Sequence, residues 1–115
     1  VKTILEACDD PALFKQAFAD DSWAPWFSFL AALFALPMTP EQLAIYQRHT
    51  GRTAPPAEPV KEAWLVCGRR GGKSFMLALV AVYLAAFFDY RQYLQRGERA
   101  TVMIIASDRK QARTI

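Results

Sequence analysis

Trp64-Leu65-Val66-Cys67-Gly68-Arg69-Arg70-Gly71-Gly72-Lys73-Ser74 carries an apolar run into a glycine-rich basic loop, and Phe75 to Phe88 continues it as a long uncharged apolar segment. The pattern predicts a strand, a tight loop ending in Lys-Ser, and a helix, which is the layout of a phosphate-binding loop. Glycines let such a loop curl until its N–H groups converge on an anion. The next helix adds unpaired N–H groups and the positive end of its dipole. In this reading Gly68, Arg69, Arg70, Gly71, Gly72, Lys73 and Ser74 bind nucleotide. Lys73 reaches the β- and γ-phosphates of ATP, and the Ser74 hydroxyl ligates Mg²⁺. The usual pattern opens on a glycine where this chain has Cys67, so Gly68 and Gly71 must supply the flexibility. The competing reading is a basic turn between two core elements.

Downstream, Thr101-Val102-Met103-Ile104-Ile105-Ala106 reads as a second strand, bounded by Ser107-Asp108, and Arg109 onward as another helix start. Strand, helix and strand make a βαβ unit with parallel strands and a right-handed crossover. The expected fold class is therefore α/β: a fragment of a P-loop NTPase preceded by a helical leader. A two-stranded parallel sheet is thin, so the expectation is a piece of a larger domain or a sheet completed by a partner. The helix from Lys73 to Phe88 is apolar almost all round and needs cover on both sides. Asp89 to Arg99 is polar, with a turn at Gly97-Glu98.

Upstream, residues 1–52 read as a helical leader. Asp10 caps a helix whose first position is Pro11, with Leu13, Phe14, Ala17 and Phe18 at helical spacing. Trp23 to Leu36 forms a second helix, with Pro25 in its first turn. Trp26, Phe27, Phe29, Leu30, Leu33 and Phe34 make it a buried one, and its aromatics read as core rather than as a platform for bases. Thr39 caps a third helix with Pro40 at its first position, and Gly51 ends it. Residues 53–59 are a proline-rich connector, and residues 60–115 are the first part of the ATPase domain.

The chain has 115 residues, 53% hydrophobic and 22% charged, which excludes a disordered protein and admits a real core. Residues 1–60 carry four basic and seven acidic side chains, whereas residues 61–115 carry ten and four. The basic half begins at the loop, which suits polyanionic ligands. Two cysteines, Cys8 and Cys67, make no disulfide framework, and a reducing compartment fits. The apolar segment 75–88 is short of the roughly 20 residues of a membrane span.

Taken together, Trp64–Ser74, His49-Thr50-Gly51-Arg52, Gly97-Glu98, Ala106-Ser107-Asp108-Arg109-Lys110-Gln111-Ala112, and the leader's Trp26-Phe27, Phe29-Leu30 and Leu36-Pro37-Met38 resemble the large terminase subunit of tailed bacteriophages. The resemblance covers nearly the whole chain and corresponds to the beginning of that family's motor ATPase. It implies an ATPase that drives double-stranded DNA into a capsid in the bacterial cytoplasm. The implied partners are the portal protein and the small terminase subunit, and the implied assembly is a homo-oligomeric ring. It makes Gly68–Ser74 a deviant Walker A loop with Lys73 and Arg69 as its catalytic residues. Arg69 matches an arginine finger toward the γ-phosphate, or else holds phosphate in the ground state. Arg70 is a solvated charge or a DNA contact. Tyr46-Gln47 matches an adenine-recognising pair, against a purely structural reading. His49 reads as a partner for the helix dipole.

The Walker B aspartate and its catalytic glutamate are not found, and Asp108 reads as a helix cap. This piece is therefore expected to bind nucleotide better than it hydrolyses it. Two alternatives stand beside the packaging motor. One is the first part of another nucleic-acid-dependent P-loop NTPase, such as a helicase. The other is a truncated nucleotide-binding module without turnover.

Overall fold

A computed structural model of the chain describes residues 2–68 and 72–105. Two compact units divide it, one spanning Lys2–Val66 and the other beginning at Cys67.

The first unit is built from three short helices. The first, α1 (Ile4–Asp9), is set by a capping box: the Glu6 N–H donates to Thr3 Oγ1, and the Thr3 N–H donates to the Glu6 carboxylate, both at 3.1 Å. Sequence reasoning passes over this helix and starts one at Asp10 instead. Asp10 does act as a cap, since its carboxylate accepts the Ala12 N–H at 2.8 Å. Residues 11–18, however, form a string of hydrogen-bonded turns rather than a helix.

A single 3₁₀ turn at Asp21–Trp23, capped by Asp20, leads into α2 (Ala24–Leu33). The third helix, α3 (Pro40–Thr50), starts and stops where its sequence signals lie. Thr39 and Gln42 form a reciprocal capping box, Pro40 opens the helix, and Gly51 closes it in the left-handed region at φ 71°. The core gathers Ile4, Ala7 and Cys8 of α1, Leu30 and Ala31 of α2, Tyr46 of α3, and Phe18 from the turns between the first two helices. Phe18 meets the Trp23 ring edge-on at 5.0 Å and the Phe27 ring at 6.3 Å, so these leader aromatics pack on one another. Burial pushes the Cys8 thiol up to about 11, which makes it an inert core group.

α2 ends without a glycine. The Leu36 N–H donates to the Ala31 carbonyl at 2.8 Å and the Ala35 N–H to that of Ala32 at 3.3 Å, a Schellman closure. Ala35 takes the left-handed position at φ 53° and is the one such residue besides glycine among those described.

In the second unit, α4 (Lys73–Ala86) runs for 14 residues with Gly72 at its N-cap and Phe87 at its C-cap. Met76, Leu79 and Tyr83 form a buried stripe, while Phe75, Leu77 and Val82 stay about half exposed. Beyond the helix, the Tyr90 hydroxyl reaches back to the Leu84 carbonyl at 2.7 Å and satisfies a last-turn acceptor. Arg91–Tyr93 is a 3₁₀ turn. Gly97, at φ 89°, sits in a turn closed by the Glu98 N–H on the Gln95 carbonyl at 3.0 Å.

The expected α/β class is overturned: the described residues are helical, with four α-helices and no strand. Residues 60–68 and 101–105 carry no β-ladder. Val66 is fully exposed and Trp64 is 88% exposed, its indole N–H turned onto the nearby Glu62 carboxylate at 2.8 Å. Met103 and Ile105 are likewise exposed. The reason is physical. A parallel strand exists through neighbours that take its N–H and C=O groups and cover both its faces, and a two-stranded sheet pairs only one edge of each strand and covers neither face. Apolar, β-branched composition marks a segment suited to a sheet without supplying the sheet. The helix start placed at Arg109, and Asp108 as its cap, lie outside the described residues.

Candidate functional site

The candidate site is the head of α4. Gly72 adopts φ 85°, a conformation that a side chain makes costly, and so turns the incoming chain into the helix. Its carbonyl accepts the Met76 N–H at 3.0 Å, the first bond of the helix. Among the described residues no side chain caps this terminus. α3, by contrast, is capped by its own threonine and glutamine, and α1 by its own threonine and glutamate. The α4 start presents the positive end of its helix dipole.

Lys73 and Ser74 are both exposed at this end, and neither makes an ion pair or side-chain hydrogen bond with the described residues. A cation and a hydroxyl on the first turn of a helix suit the end of a phosphate chain. The Ser74 hydroxyl could supply one oxygen ligand to Mg²⁺. Gly68 is exposed, and a Cβ added there would meet nothing within 4 Å. Its lack of a side chain is thus not demanded by the protein's own packing. Arg69, Arg70 and Gly71 lie outside the described residues.

The proposed adenine pair has other employment. Tyr46 is 6% exposed and belongs to the core of the first unit, so its ring faces are covered. Gln47 is exposed, but its Nε2 donates to the Thr53 carbonyl at 2.8 Å and fastens the chain leaving α3. The whole exit of α3 is secured in this way. His49 Nδ1 donates to the Ile45 carbonyl at 2.8 Å, the Thr50 hydroxyl to that of Tyr46 at 2.8 Å, and the Gly51 N–H to that of Gln47 at 2.9 Å. His49 thus sits where a helix-end partner is wanted, with Nδ1 carrying the proton.

Sequence reasoning offers no sign of an open pocket of about 350 Å³ in the first unit, lined in part by Leu5, Cys8, Phe18 and Phe27 with Asp9 and Lys15. Its residues are scattered along the unit, and no motif links them. The Asp9–Lys15 pair is 3.9 Å apart with both groups mostly exposed, so it contributes little. The described residues contain no group of three or more His, Cys, Asp or Glu placed to hold a metal. No described helix is long and apolar enough to cross a membrane. Comparison with protein-family models, with curated proteins and with solved structures found no match.

Proposed function

We propose that this chain is the N-terminal, ATP-binding portion of a tailed-phage DNA-packaging motor, which couples ATP hydrolysis to DNA translocation as part of the full-length large terminase subunit. One observation carries the reading. A left-handed Gly72 delivers Lys73 and Ser74, exposed and unengaged by the described residues, to the start of a 14-residue helix that has no side-chain cap among the described residues. The reading rests on the chemistry of this helix start and on the sequence around it, and on no sheet.

In operation, the α4 N–H groups and the Lys73 ammonium would hold the β- and γ-phosphates. Ser74 would take its place on Mg²⁺. Arg69 would meet charge on the γ-phosphoryl group. Mg²⁺, when bound there, would supply positive charge against that of the phosphates. Double-stranded DNA, the portal protein, the small terminase subunit and further copies of the subunit in a ring are the partners this reading brings, in the cytoplasm of the bacterial host. The more restricted reading is a nucleotide-binding module without turnover.

Equilibrium binding of Mg·ATP to the chain, with Lys73→Ala as control, tests the proposal. Losing one charge-assisted contact of about 1.5–3 kcal/mol should weaken binding by roughly 10- to 150-fold. The fold should stay intact, because the Lys73 side chain supports nothing else among the described residues. ATP binding that is indifferent to Lys73, or none by the intact chain, would remove the basis of the assignment. Binding without phosphate release would favour the restricted reading.

A further inference from the structure

We draw no further inference here: the strongest candidate, the apolar face of α4 that leaves Phe75 and Val82 half exposed, carries nothing because nothing in the structure shows what covers it.

Discussion

Gln47 holds the exit of α3 through Thr53, its Nε2 donating to the Thr53 carbonyl at 2.8 Å. Replacing Gln47 with alanine should lower stability in urea by about 0.5–1.5 kcal/mol, the net worth of one such bond. The same variant bears on the adenine reading. If Gln47 also reads the base, the intact chain prefers ATP over GTP and Gln47→Ala abolishes the preference. Equal affinity of the intact chain for the two nucleotides would leave Gln47 a purely structural residue.

Val66 and Leu30 provide opposite controls on the fold. Leu30 is fully buried, so Leu30→Ala should cost about 2–5 kcal/mol in denaturant. Val66 is fully exposed, so Val66→Ser should stay within about 0.5 kcal/mol of the parent chain. A valine inside a covered strand would behave like Leu30. A large loss at Val66 would therefore restore the sheet that the described residues lack.

Asp89 is gripped by Arg91 from two sides. The guanidinium donates from Nε at 2.9 Å and from Nη2 at 2.7 Å, and the Arg91 backbone N–H adds a third bond at 3.0 Å. The side-chain bonds first, and the backbone N–H second, pull the carboxyl from its ordinary 3.8 down to about 2. A depressed carboxyl contributes stability that is fully present above about pH 4 and is lost as pH falls toward 2. Both groups are exposed, so the effect on folding is small, and the titration itself is the better measurement. The Asp89 side-chain carbon followed by NMR should titrate near 2. Arg91→Gln should move the midpoint upward but short of the ordinary value, because the backbone bond survives.

How much of this is legible in the sequence depends on how local each signal is. The bounds of α3 are, because Thr39, Pro40, Gln42 and Gly51 act within a turn of the positions they cap. The capping box that sets α1 is equally local, and Thr3 with Glu6 could have disclosed that helix. The helix of Lys73 onward is legible as well, from a glycine followed by an unbroken apolar segment. The strands are not. Whether Leu65 and Val66 pair is decided by distant backbone, and composition alone does not reveal whether that backbone is there. At the candidate site, Gly72 turns with a positive φ, and Lys73 and Ser74 are exposed. The burial of Tyr46 depends on residues far from it in the chain, which its own neighbours do not disclose.

Ala35 closes α2 in a conformation that costs an L-residue about 1–2 kcal/mol and costs glycine almost nothing. Ala35→Gly keeps both Schellman bonds and relieves that strain, partly offset by the greater freedom of glycine in the unfolded chain. A net gain near 1 kcal/mol would raise the melting temperature by roughly 4–8 °C. The leader thus holds an unused thermal reserve at a single methyl group, and heat tolerance can be altered there without touching Gly72, Lys73 or Ser74.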